Sequence, residues 1–375
     1  MLSQFGFYEA MGRAETNKLS AFAATVPKGH RPHWNFNEKE FARYDWSIEP
    51  DESLEALYKL RAKQIREKYD YVIISYSGGA DSHNIAESFV RCGLRIDELI
   101  NRFSANKIDL SCKEKIPENL ANESIWAAIP GYKRLRYLQP DLRFTRWDWS
   151  QDIIDSWEQN KKNIYEINYP SPNANIKQRL LQHSNAKSHQ DTVVIYGVDK
   201  PYIIFHEGRF YIRFLDEIVH GQVAWTDNIN DANMDNTTCE LFYWSPNATR
   251  LLIKQAHMVK KWFKANPGFL FLLDPFRQPN RDLYNQIVNG IVYPWHCPDV
   301  WQCAKQKRKF FTIEEKWFIS NDSSTAVANW KKIIDDMNYE ISNIYKHSTV
   351  QQELSIEEGK FLLPGCYSKA YDLGT

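Results

Sequence analysis

The stretch that decides the fold is DYVIISYSGGADSHNIAESFVRCG, Asp70 to Gly93. Tyr71-Val72-Ile73-Ile74 is a short apolar run rich in β-branched residues, the pattern of a strand buried on both faces. It breaks off at Ser77-Gly78-Gly79, after which Ile85, Ala86, Phe89 and Val90 recur at helical spacing and predict a helix over about 82–91. Gly93 falls where a left-handed C-terminal cap is expected. A helix N-terminus leaves backbone N–H groups unpaired and partially positive, which suits an anion and above all a phosphate. Gly78 and Gly79 allow positive φ and let an oxygen approach the main chain, so that successive N–H groups form a nest. Ser77 and Ser82 add hydroxyls. Asp81 would repel a phosphate unless a cation lay between them, which points to Mg²⁺ shared with phosphates.

Outward from this corner, Pro50-Asp51-Glu52-Ser53 opens a helix carrying Leu54, Leu57, Tyr58, Leu60 and Ile65. Further strands are predicted at about 99–103, 142–147 and 192–196, with Asp148 as an acid at the start of a helix bearing Ile153, Ile154 and Trp157. Strands alternating with helices predict an α/β core over 66–220, built on a doubly wound, mainly parallel sheet. Residues 1–65 read as an irregular, aromatic N-terminal extension, and 221–375 as a mostly helical C-terminal region with a polar loop at 227–238. In that region Ser245 and Pro246 start a helix that Asn266-Pro267-Gly268 stops. Its Leu251, Leu252, Met258, Val259, Trp262 and Phe263 should pack on the core. Lys254, His257, Lys261 and Lys264 form a basic stripe opposite, either solvated or, through Lys254 and His257, facing the corner.

Composition narrows the class. Hydrophobic residues make up 43% and charged residues 25% of the 375, as in an ordinary globular chain. Lys+Arg and Asp+Glu are both 47, so a nonspecific nucleic-acid coat is not written here. Any nucleic-acid contact must be local, and Lys305–Phe311 (KQKRKFF) is the densest basic run. The cysteines at 92, 112, 239, 297, 303 and 366 include no Cys-x-x-Cys pair; His296, Cys297 and Cys303 read as incidental, and Cys366 as structural. With no secretory pattern at the start and no long apolar span, the expected compartment is the cytoplasm.

Neither G-x-x-x-x-G-K-[ST] nor G-x-G-x-x-G is present. Ser77-Gly78-Gly79-Ala80-Asp81-Ser82 instead resembles the S-G-G-x-D-S motif of the PP-loop ATP pyrophosphatase superfamily, which includes asparagine, GMP and NAD synthetases and the more distant PAPS reductases. The resemblance covers the motif well, the core loosely and the C-terminal third hardly at all. It implies ATP and Mg²⁺ as cofactors, with ATP cleaved to AMP and pyrophosphate to adenylate an acceptor for a nitrogen or sulfur nucleophile. It places the nucleotide on Ser77, Gly78, Gly79, Ala80, Asp81, Ser82 and Gly197, and the metal on Asp81 and Asp199. Asp81, Lys200 and Lys254 are then the candidate catalytic residues. Two alternatives stay open: a PAPS-reductase-like or sulfur-transfer enzyme, and a nucleotide-binding or nucleic-acid-associated protein without turnover. The iron–sulfur cysteine pairs and the Glu-Cys-Gly-Leu-His tail of particular branches are absent.

Overall fold

The computed structural model describes residues 6–15, 18–25, 28–103, 124–148, 184–187, 190–216, 236–274, 280–295 and 366–375. In chain order its elements begin with β1 (Phe7–Ala10), β2 (Arg13–Glu15), α1 (Lys18–Thr25), β3 (His33–Asn35), α2 (Glu38–Phe41) and α3 (Leu54–Lys68). The central run is β4 (Tyr71–Ser75), α4 (Ala80–Val90), β5 (Glu98–Phe103), a π-turn at Ser124–Ala128, α5 (Ile129–Leu138), β6 (Arg143–Asp148) and β7 (Thr192–Tyr196). Then come β8 (Tyr202–His206), β9 (Arg209–Arg213), β10 (Thr237–Leu241), α6 (Thr249–Ala265), α7 (Arg281–Val292) and β11 (Tyr371–Gly374).

The protein is α/β. Its main sheet has five strands in the order β10-β7-β4-β5-β6, all parallel. From β4 the chain moves outward to β5 and β6 on one side, then returns to β7 and β10 on the other, an arrangement compatible with double winding. Val72, Ile73 and Ile74 of β4 and Val193, Val194 and Ile195 of β7 are fully buried, as their apolar runs require. Ser53 caps α3 by accepting from Ala56 N at 3.1 Å. Gly93 has φ 67°, the left-handed conformation expected after α4.

Two expectations are corrected and a third is extended. The core sheet does not end at residue 220, because β10 joins it as an edge strand paired to β7 alone. Its sequence, Thr-Thr-Cys-Glu-Leu, has a partly solvated face, so it carries no apolar run to betray it. Glu240 is held there by the buried Arg61 of α3 at 2.7 Å, and Arg61 also donates to the carbonyls of Leu241 and Phe242. The N-terminal extension is not irregular: β2-β1-β3 form an antiparallel sheet over buried Tyr8, Ala10 and Trp34. The described part of the C-terminal region is helical over Thr249–Ala265 and Arg281–Val292, as expected, and it also supplies β10 to the main sheet and β11 to a third sheet, β11-β9-β8.

Asp148 ends β6. The expected helix at 153–157, most of the loop expected at 227–238, His296, Cys297 and Cys303, and the basic run Lys305–Phe311 lie outside the described residues; the end of that loop, Thr237 and Thr238, is instead the start of β10. Cys366 is buried, and its N–H donates to Asp216 Oδ1 at 2.9 Å, a structural placement. Among the described residues no helix is long and apolar enough to cross a membrane.

Candidate functional site

In an open parallel sheet, ligands lie outside the carboxyl ends of the strands where the strand order reverses. Here that crevice lies between β4 and β7, and two loops meet in it: Tyr76–Gly79 after β4 and Gly197–Pro201 after β7. The first loop is pinned from both sides. Tyr76 N–H donates to Ile100 O at 2.8 Å, while Asn101 Nδ2 donates to Tyr76 O at 3.0 Å. The Tyr76 hydroxyl meets His83 Nδ1 at 2.7 Å, and His83 Nε2 lies 3.3 Å from Glu87 Oε1. Gly131 of α5 passes so close that a Cβ there would run into the Tyr76 hydroxyl.

The two glycines of the corner differ. Gly78 has φ 75°, and a Cβ there would collide with the backbone of Ala127 and Ala128. Gly79, the N-cap of α4, has φ −67°, so its conformation does not call for glycine. The expectation of positive φ therefore holds for Gly78 alone. The Ser77 hydroxyl accepts from Gly79 N–H at 3.2 Å and lies 3.3 Å from Ser82 Oγ, which donates to Gly79 O at 3.3 Å. Gly78, Gly79, Ala80 and Ser82 are buried, while Ser77 and Asp81 are partly exposed.

Residues distant in the chain converge on Asp81. Lys200 Nζ lies 3.1 Å from Asp81 Oδ1 and 2.8 Å from Asp199 Oδ1. The lysine side chain is 10% exposed, the carboxylates 25% and 24%. Burial pulls the Lys200 ammonium toward lower pKa, but Asp199 and Asp81 outweigh it and hold the group above its ordinary value. Gly197 fits against the start of α4, where a Cβ would stand 3.2 Å from Ser82 N. The structure thus brings together Ser77, Gly78, Gly79, Ala80, Asp81, Ser82, Gly197, Asp199 and Lys200.

Lys254 belongs elsewhere. Its Nζ donates to Glu49 Oε1 at 2.9 Å and to Pro50 O at 3.0 Å, and Lys261 joins the same carboxylate at 2.5 Å. His257 Nε2–H donates to Trp46 O at 2.9 Å. The basic stripe of α6 is therefore not turned to the corner: Lys254 and His257 grip residues 46–50, while Lys261 and Lys264 are exposed, Lys264 donating to Thr375 O at 3.3 Å. The apolar face of α6 packs as expected, with Leu251, Leu252, Val259 and Phe263 buried and Met258 and Trp262 partly so.

Sequence reasoning missed two tyrosines at the corner. The Tyr243 hydroxyl donates to Asp81 O at 2.8 Å and accepts from Asn84 Nδ2 at 3.1 Å. The Tyr293 hydroxyl donates to Asp81 Oδ1. Burial, with the Asp81 charge adding to it, holds both phenols well above their ordinary pKa. Tyr293 is placed by Tyr58 of α3, whose hydroxyl donates to the neighbouring Val292 O at 2.7 Å. Nothing local in FYWSP or IVYPW marks these tyrosines; only the tertiary fold does.

A Mg²⁺ ion here would find Asp81 and Asp199 as its protein carboxylates, a set that fits a cation taking one or two carboxylates from protein and the rest from phosphates and water, and both are bridged by Lys200. Among the described residues no group of three or more His, Cys, Asp or Glu side chains gathers to hold a metal. No protein-family model and no curated protein matches the chain, so the geometry carries the functional reading.

Proposed function

We propose that the protein is an ATP-binding enzyme of the PP-loop type, cleaving ATP to AMP and pyrophosphate to adenylate an acceptor. The observation that carries this reading is the meeting of Lys200 and Asp199 with the start of α4 at the reversal of strand order. The N-terminal N–H groups of α4, with the Ser77 and Ser82 hydroxyls, receive the polyphosphate. Asp81 and Asp199 would hold Mg²⁺, which would supply charge neutralisation of the phosphates when bound. An acceptor oxygen bonds to the α-phosphorus, and the bond from that phosphorus to the bridging oxygen breaks, its electron pair leaving with pyrophosphate. Lys200 offsets the charge that builds on this leaving group. A nitrogen or sulfur nucleophile then displaces AMP from the acceptor.

The test is product analysis with ATP labelled at the α-phosphorus, with and without a lysate fraction supplying the acceptor. Labelled AMP that disappears in Lys200→Met supports the reading; ADP as the sole labelled product overturns it. A second reading, nucleotide binding without turnover, is favoured by one observation. Lys200 Nζ already bridges the two carboxylates offered to the metal. ATP binding with no labelled product from any lysate fraction selects it.

A further inference from the structure

Arg213, the last residue of β9, stands opposite Tyr202 in the antiparallel β8–β9 pair. Its guanidinium carbon lies 3.6 Å from the ring centre of Tyr367 and 5.1 Å from that of Tyr202. Two electron-rich faces thus hold the guanidinium. Hydrogen bonding does not match this care: Nε and Nη2 are both buried and have no hydrogen-bond partner among the described residues. These two nitrogens form the side-on edge of the guanidinium, two parallel donors spaced to meet a carboxylate or phosphate. Arginine cannot discard its proton, so a buried charged edge of this kind costs stability unless an acceptor meets it.

A second donor points the same way. The indole N–H of Trp244 is likewise buried without a partner among the described residues. Trp244 lines a small recess with Tyr202, Tyr284, Pro201 and Lys200, so Tyr202 is shared between the recess and the Arg213 stack. The Tyr284 hydroxyl is committed to the main chain, donating to Pro201 O at 2.7 Å and accepting from Ile203 N at 3.0 Å. Asp199, the acid that lines the recess, is already held by Lys200. The unpaired groups around Tyr202 are therefore N–H donors, and they call for an acceptor-rich ligand. Arg213 as a whole is partly buried, although its two unpaired nitrogens are covered.

We propose that Arg213 anchors a binding site for a small-molecule oxyanion, a carboxylate or a phosphate group, with Tyr202 and Tyr367 fixing the plane of the fork. The recess beside it shares Asp199 and Lys200 with the α4 corner, but the Arg213 fork stacks on Tyr202 and Tyr367, outside that corner, and does not depend on the nucleotide reading. Its test is thermal unfolding of the full chain with sodium phosphate, with sodium succinate, or with sodium chloride at matched ionic strength. The wild type should be stabilised by at least one of the two oxyanions beyond the chloride control. A response to phosphate alone assigns a phosphate ligand; a response to succinate alone assigns a carboxylate.

Arg213→Met, which removes the fork, and Arg213→Lys, which keeps a point charge, should each weaken the response roughly ten-fold or more, as loss of charged hydrogen bonds does. If Arg213→Met does not fold, Arg213→Lys decides alone. The proposal falls if neither oxyanion stabilises the wild type, for the fork is then only hydrated. It also falls if the response survives every Arg213 substitution that folds.

Discussion

Lys200 and Asp81, 119 residues apart in the chain, meet with Nζ 3.1 Å from Oδ1, and the same ammonium reaches Asp199 at 2.8 Å. One lysine thus joins the loop after β7 to the first turn of α4 and keeps two neighbouring carboxylates compatible.

Replacing that lysine should be costly and pH-dependent. We expect Lys200→Met to lose about 1–3 kcal/mol near neutrality, because it leaves two facing carboxylates with no cation. The folded-state pKa of Lys200 is raised above its ordinary 10.5, so its contribution is full below that pH and lost as pH rises through the folded value. Urea unfolding of both proteins across the pH range measures this, and a constant gap from acid to alkaline pH would contradict it.

Gly78 and Gly197 should respond differently to an added methyl. Gly78→Ala faces about 1–2 kcal/mol for the left-handed backbone and more for its collision with Ala127 and Ala128. We expect a protein that unfolds at a much lower denaturant concentration or fails to fold. Gly197→Ala brings its Cβ to 3.2 Å from Ser82 N, a contact that a small shift relieves. That variant should fold and, on the proposed function, bind ATP more weakly, because the shift falls on the start of α4. Equal midpoints in denaturant for the two variants would refute the contrast.

Lys254 should act on stability. Lys254→Ala removes a bond to Glu49 and one to Pro50 O, so we expect a loss of about 1 kcal/mol. AMP formation, where it is found for the wild type, should be unchanged once the variant is folded. A large fall in turnover at unchanged stability would return Lys254 to the site.

His257 makes a pH signature of its own. Burial pulls its pKa below the ordinary 6.5 despite its bond to Trp46 O, with Lys260 and Lys261 lowering it further and Glu49 opposing them. A depressed folded pKa means stability that is full above about pH 6.5 and lost as the pH falls through the folded value. The wild type should therefore weaken, relative to His257→Gln, between about pH 7 and pH 5. Parallel unfolding midpoints for the two proteins over that range would count against it.

The corner was legible because local and global signals agree there. A buried strand, a Gly-Gly break and an amphipathic helix follow one another, and the rule for parallel sheets points to the loop after β7, where Asp199 and Lys200 lie. The β8–β9 hairpin also left a signal. Two apolar runs flank Glu207-Gly208, whose φ values of 47° and 77° make a tight turn. β10 left none, being short, polar and an edge. The role of Lys254 was unreadable for another reason. Helical periodicity names the face a lysine occupies but not the segment laid across that face, and here the segment is Trp46–Pro50.

The groups that close on Asp81 come from after β7, after β10 and after α7, up to 212 residues away along the chain. Such distant pairings form late, because loop closure must be achieved before they repay it. During folding the β4–α4 turn can take shape early from its own residues, while its complement of Lys200, Tyr243 and Tyr293 arrives only when the last of these docks. Competence at the corner is therefore a property of the finished chain, and a shortened chain ending before Tyr293 would carry the motif without the site.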